Sequence, residues 1–213
     1  MTRWHRAVPT IPTGIPSLDQ RIGGLVPGEL VVLLSDSAPL ADAVGKAMGP
    51  AVSTAGYSLG FLGRSGEAGV GARLISPVPQ PCSEFVRRAG EWCGSTDGEK
   101  VVLIQRADRM LTNRKREQAY ASLRQFARNR SVAVVLVVLR SAQERKRPPS
   151  PNFLGGVQAR ALVHIAPQEA DLFTKAGVRL QLLLRHPPIT WTVPDLTWQG
   201  DSAEKEQANP GQG

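Results

Sequence analysis

Arg140, Arg145, Lys146 and Arg147 lie in and beside a Pro-rich stretch, "LRSAQERKRPPSPNFLGG", that follows the most apolar run of the chain, Val132 to Leu139. Lys and Arg on a loop neutralise phosphates without reading bases, so the chemistry on offer is electrostatic capture of a polyanion. A second cluster, Arg114, Lys115 and Arg116, opens a helical pattern, where positive charge is mildly unfavourable to the helix dipole. That local cost also points to a partner. The charge is concentrated: the whole chain carries +8 with a pI near 10.2, yet residues 100–147 hold thirteen Lys/Arg against Asp108, Glu117 and Glu144. That window is +10 and the remainder −2, an asymmetry expected of a nucleic-acid partner. No aromatics are interleaved with these cations, so base stacking has little support. Other chemistries lack their parts. His5, His164 and His186 have no carboxylate or cysteine at metal-ligand spacing, and Ser35, Ser37 and Ser141 have no recognisable base.

Strands and helices must position these residues. The runs Leu30–Leu34, Val101–Ile104 and Val132–Leu139 are apolar and continuous, as strands buried on both faces should be, and "YSLGFLG" from Tyr57 is a fourth candidate. Helical stripes separate them. Leu40, Val44, Ala47 and Met48 form one, ended by Gly49-Pro50; Phe85, Val86, Ala89 and Trp92 form another, capped by Ser83. Ala119, Tyr120, Leu123, Phe126 and Ala127 form a third, for which Thr112 suits the cap. Alternation of this kind predicts an α/β fold with a doubly wound, mostly parallel sheet. After residue 160 the pieces "ALVHIAP", "VRLQLLLRHPP" and "ITWTVPDLTW" predict an antiparallel hairpin or meander at the C-terminal sheet edge.

The 213 residues, 41% hydrophobic, suffice for one sizeable core. The expected division is a flexible leader over 1–10, a core domain over 11–198 and a disordered polar tail over 199–213. Trp4 is expected either to fold back on the core, the favoured reading, or to anchor the chain to a partner. The longest apolar run is too short to span a membrane, no signal peptide opens the chain, and Cys82 and Cys93 bracket a helix too far apart to bond. A cytoplasmic location is expected, with no membrane partner, no metal and no cofactor.

The segment "IPTGIPSLDQRIGGLVPGELVVLL", Ile11 to Leu34, resembles the opening of the RecA-like ATPase core in its DnaB-type helicase, RadA and KaiC branches. Thr13, Gly14, Leu18, Asp19, Gly23, Gly24, Leu25, Pro27 and Gly28 match the pattern that leads into the first strand and the phosphate loop. The basic stretch from Leu139 to Gly156 is similar to a loop of DnaB-type helicases, and DNA-binding loops occupy this part of RecA-like cores. "LLLRHPPITWTV", Leu182 to Val193, resembles the C-terminal hairpin whose basic residues reach a neighbouring subunit's nucleotide. The resemblance therefore implies a trans contact to a partner for Arg185.

The resemblance stops at the nucleotide chemistry. A phosphate loop needs small residues, a lysine for the β/γ oxygens and a hydroxyl for magnesium. Aligned on the preceding strand, those last three positions hold Leu40, Ala41 and Asp42, and Lys46 lies more than a turn too far along. Gln105 stands at the end of the strand that should carry the magnesium-associated aspartate, with Asp108 three residues later. Gly63 and Arg64 stand where a catalytic glutamate is expected, Glu67 nearby, and Val138 or Leu139 replaces the phosphate sensor.

The expected function is that of a non-catalytic RecA-family paralogue, a pseudo-ATPase. It would act as a DNA-binding or partner-binding accessory in DNA recombination, repair or replication, contacting DNA without sequence preference. An active RecA-like ATPase, helicase or polymerase is the expected protein partner. The ImuA-like accessory proteins of translesion-synthesis operons are similar in this kind of degeneration. Two alternatives stay open: a divergent DNA-dependent ATPase, and a purely protein-binding scaffold.

Overall fold

The computed structural model describes residues 10–63, 70–76, 81–109, 116–154, 158–168, 177–184 and 189–193. The continuous apolar runs become central strands because helices cover both of their faces. In chain order the elements are α1 (Pro16–Ile22), β1 (Leu30–Ser35), α2 (Ala38–Thr54), β2 (Ser58–Leu62), β3 (Ala72–Ser76), α3 (Cys82–Ser95), β4 (Lys100–Ile104), α4 (Arg116–Arg130), β5 (Ala133–Leu139), α5 (Ala142–Arg145), β6 (Ala161–Gln168), β7 (Gly177–Leu182) and β8 (Ile189–Val193). Short 3-10 turns at Ala107–Arg109 and Pro151–Leu154 complete the set.

The strands form one sheet in the order β3-β2-β4-β5-β1-β6-β7-β8. The first six are parallel, and β7 and β8 add an antiparallel edge. This is the mostly parallel, doubly wound sheet expected, with the antiparallel C-terminal edge. β3 was not legible: it is a five-residue edge strand with exposed Arg73 and a glycine turn before it.

Side-chain alternation sorts the core into two layers. Val31, Leu33, Val101, Leu103, Val135, Val137, Val163 and Ile165 face α1 and α2. Val32, Leu34, Val102, Ile104, Val134, Leu136 and Leu162 face α3 and α4. Each is close to fully buried, and burying such a side chain stabilises by about 1.5–3 kcal/mol. Beyond β6 the second layer narrows to Leu183, at the end of β7. On β7, Val178, Leu180 and Leu182 are buried against the α1/α2 side, while Arg179 is exposed and Gln181 half-buried on the other. One face of the antiparallel edge is therefore polar and uncovered by any described helix.

Two helix boundaries differ from expectation. α2 continues through Gly49-Pro50 to Thr54; Pro50 and Lys46 are both exposed, so the Lys46 carbonyl that Pro50 leaves without an N–H partner lies on the side of the helix that water reaches. α3 begins at Cys82 with Pro81 as its N-cap, so Ser83 lies inside the first turn. Cys82 and Cys93 are free thiols. The stripe of α4 is buried as expected, while Thr112 lies outside the described residues.

The approach to β1 is tightly specified. Ile11 and Leu25 form an antiparallel bridge, and the Thr13 N–H donates to both oxygens of Asp19 at 3.0 and 3.1 Å. Gly14 adopts a positive φ of 80°, and a Cβ there would meet the Ala47 carbonyl oxygen at 2.3 Å. Only glycine satisfies both conditions.

Candidate functional site

The carboxyl ends of the parallel strands bring together candidate residues from β1, β4 and β5. At the end of β1 the connection to α2 is two residues, Asp36 and Ser37. Its N–H groups are already used. Asp36 N–H donates to the Ile165 carbonyl at 3.2 Å, and Ser37 N–H donates to Ser35 Oγ, which itself donates to the Ser37 carbonyl at 2.8 Å. A phosphate cradle requires several such N–H groups turned outward.

The residues aligned with the last phosphate-loop positions point elsewhere. Leu40 and Ala41 are fully buried in the core between α2 and the sheet. Asp42 is half-buried and takes a hydrogen bond from Gln105 Nε2 at 3.2 Å. The same amide nitrogen donates to the Ala41 carbonyl at 2.7 Å, tying the end of β4 to the first turn of α2. Lys46 is exposed further along α2. Asp108 is held in its 3-10 turn by Arg106, at 3.1 Å, and accepts from the Leu139 N–H at 3.0 Å. Gly63 packs against Gln105, where a Cβ would stand 2.9 Å from the Gln105 Cβ. Arg64 and Glu67 lie outside the described residues. This donor set does not fit a magnesium nucleotide: the Ser35 hydroxyl is bonded within the turn, Ala41 and Asp42 stand at the positions expected to hold a lysine and a hydroxyl, and the leading side chain is a carboxylate.

That carboxylate has an internal partner set. Asp36 Oδ1 accepts from Arg140 Nη1 at 2.9 Å, and Asp36 Oδ2 lies 2.8 Å from His164 Nε2. Burial alone would raise the Asp36 pKa; the His164 hydrogen bond and charge, with the Arg140 guanidinium, outweigh it and hold the carboxyl below its ordinary value. Arg140 also donates to the carbonyls of Glu144 and Arg147, which folds the following loop back over the end of β1.

Arg140 therefore corrects an expectation. It is 4% exposed with its donors engaged, so it anchors the loop and is not available to a DNA phosphate. Arg116 is largely covered, paired with Glu144 at 2.8 Å and stacked over the Phe153 ring. It acts chiefly as a brace between α4 and α5. Arg114, Lys115 and Arg185 lie outside the described residues.

The remaining three cations are brought together and left open. Arg145, Lys146 and Arg147 are exposed at and just after α5. The helix is a single turn closed by a capping box: Glu144 N–H donates to Ser141 Oγ, and Ser141 N–H donates to the Glu144 carboxylate at 2.8 Å. Burial would raise the Glu144 pKa, but the Ser141 hydrogen bonds and Arg116 hold it below its ordinary value. Arg145 Nη1 donates to the Asp36 carbonyl at 2.8 Å, while Lys146 and Arg147 make no ion pair among the described residues. The loop overhangs a cleft of about 350 Å³ whose far side is formed by Arg179, Gln181 and Thr190. Among the described residues no group of His, Cys, Asp and Glu could hold a metal ion, and no helix is long and apolar enough to cross a membrane.

No family model matches the chain, and no curated protein does. Solved structures do match its fold. One solved ATPase domain superposes with a TM-score of 0.69 at 13% identity, covering 89% of this chain and 88% of that one. A DnaB-like replicative helicase, solved for its interactions with primase, gives 0.68 at 12% identity. That match covers 90% of this chain but 62% of the helicase, so this chain spans under two thirds of its length. A KaiC-like protein of Pyrococcus horikoshii gives 0.62 at 15% identity over 87% and 95%. These likenesses establish a RecA-like fold.

Proposed function

We propose that this RecA-fold chain, with residues 11–198 as its folded core, is a DNA-binding accessory factor that does not hydrolyse ATP. It captures nucleic-acid backbone through Arg145, Lys146 and Arg147. The observation that carries the reading is the contrast at one sheet edge. The β1–α2 turn spends its N–H groups internally and leads with Asp36, while three exposed cations stand on a braced turn beside it. Phosphate contacts of this type position a protein on nucleic acid without sequence preference.

Two assays test the two halves. Magnesium-dependent ATP turnover, with and without DNA, is expected to be absent. Affinity for labelled DNA is expected to fall with salt, with a log–log slope of roughly −0.7 to −0.9 per phosphate contact. Replacing Arg145, Lys146 and Arg147 by alanine should flatten it by about 2 on single strands at that rate. The fold match to an ATPase domain is the one observation favouring a catalytic reading. That reading requires DNA-stimulated turnover reduced by Lys46→Ala.

A further inference from the structure

The cleft beneath the basic loop has a second wall that the proposed function does not use. On β7, Arg179 and Gln181 alternate with the buried Val178, Leu180 and Leu182, so both project from the opposite face, where the apolar layer has narrowed to Leu183. Register fixes their neighbours. Gln181 lies opposite Thr190 on one side and His164 on the other; Arg179 lies opposite Thr192 and Ala166. Directly opposite residues on adjacent strands share a face, so these side chains make one polar surface at the foot of the loop. Arg179 is exposed and makes no ion pair among the described residues. The nearest carboxylate in the cleft, Asp36, is already committed to Arg140 and His164. The cleft is therefore cationic on both sides, with Gln181, Thr190 and the paired Asp36 and His164 between.

We propose that the groove between the Arg145–Arg147 loop and the β7–β8 face holds a single extended phosphodiester strand, with Arg179 as a phosphate contact facing the loop. This rests on the DNA-binding reading and specifies its ligand. Two features select a single strand. The volume, about 350 Å³, is at the small end of ligand sites and suits a phosphate or two with their sugars. A duplex presents its phosphates on a broad convex cylinder, which would rest on the loop and leave the sheet face at the cleft's foot out of reach. The lining includes no Phe, Tyr or Trp among the described residues, and its one imidazole, His164, is buried against Asp36, so contact goes to the backbone and bases point outward unread.

The test uses the full chain, a labelled single-stranded oligonucleotide of mixed sequence and the corresponding duplex, each titrated over a range of salt concentrations. Arg179→Gln should lower single-strand affinity and flatten the salt slope by about 0.7, the loss of one contact. Duplex affinity should be unchanged, and Arg179→Lys should restore single-strand binding. Because Arg179 is exposed and neither variant alters a buried group, thermal melting serves only to verify folding. If Arg179→Gln leaves single-strand binding intact while the Arg145/Lys146/Arg147 alanine variant loses it, the groove is wrong and the loop reading stands. Equal loss on single strand and duplex also overturns the single-strand assignment. If the wild-type chain binds neither DNA at moderate salt, the underlying reading fails with it. A third arm adds ATP or inorganic pyrophosphate as competitor. Displacement at concentrations comparable to the oligonucleotide's phosphate content would make this a small-phosphate site and overturn the strand; no displacement supports it.

Discussion

Two neighbouring strand ends of the same sheet meet at Asp36 yet offer a ligand opposite things. At the end of β1, donors and acceptors close on one another: Ser35 with Ser37, Asp36 with Ile165, Arg140 and His164. At the end of β5, the chain spends one cation, Arg140, on holding the turn and exposes the next three. A shared edge supplies proximity, but whether a strand end can take an anion depends on which polar groups its own backbone has already consumed. The closed end fixes the loop, and the open end presents it.

The largest effect should come from breaking the link between the two ends. Asp36→Ala strips the buried Arg140 of its carboxylate, and losing one member of a buried pair costs about 3 kcal/mol, the low end because Asp36 is partly solvated. Urea unfolding would measure it, and a loss below about 0.5 kcal/mol would mean the ends are independent. The cap at the open end is worth less. Ser141→Ala removes the capping-box acceptor and should cost about 1 kcal/mol, again by urea unfolding, with a weaker salt slope for DNA because the three cations lose their common support. The smallest stability change belongs to the open residues. Alanine at Arg145, Lys146 and Arg147 should shift stability by within about 0.5 kcal/mol per site while reducing DNA affinity, which separates presentation from folding.

Acid provides a further separation. Asp36 and Glu144 both have folded pKa values below their ordinary 3.8 and 4.5. Groups so depressed contribute stability that is complete above those ordinary values and is lost as pH falls through the folded ones. Asp19, raised by burial in excess of what its Thr13 hydrogen bonds lower, acts with the opposite sign. Unfolding midpoints measured from about pH 7 down to about pH 3 should fall most steeply below about pH 4, and Asp36→Asn should fall less steeply than wild type.

Much of this frame could be read from the chain. Leu30–Leu34, Val101–Ile104 and Val132–Leu139 announce themselves because strands buried on both faces have no polar positions to interrupt them. The glycines near β1 are legible for a backbone reason, as the contact of Gly14 with Ala47 illustrates. The role of Arg140 was not legible. Its partner Asp36 is 104 residues away, and His164 meets Asp36 across 128. Nothing local distinguishes a cation destined for burial from Lys146 further along the same loop. His164 carried a faint signal, a polar residue inside the apolar run "ALVHIAP", and Ser141-x-x-Glu144 is a capping-box spacing. Arg179 gave none beyond strand alternation, since its significance depends on where the second core layer ends.

The central claim is that this edge of the RecA-like sheet binds nucleic-acid backbone at the β5 loop and no nucleotide at the β1–α2 turn. The most direct measurement is a salt-dependent titration of labelled single-stranded DNA against the wild-type chain and the Arg145/Lys146/Arg147 alanine variant, repeated with magnesium ATP present. The account predicts a steep wild-type salt slope, flattened by about 2 in the variant at roughly 0.7 per lost contact, and identical curves with and without ATP. A slope unchanged by the substitutions, or DNA binding that depends on ATP, would contradict it.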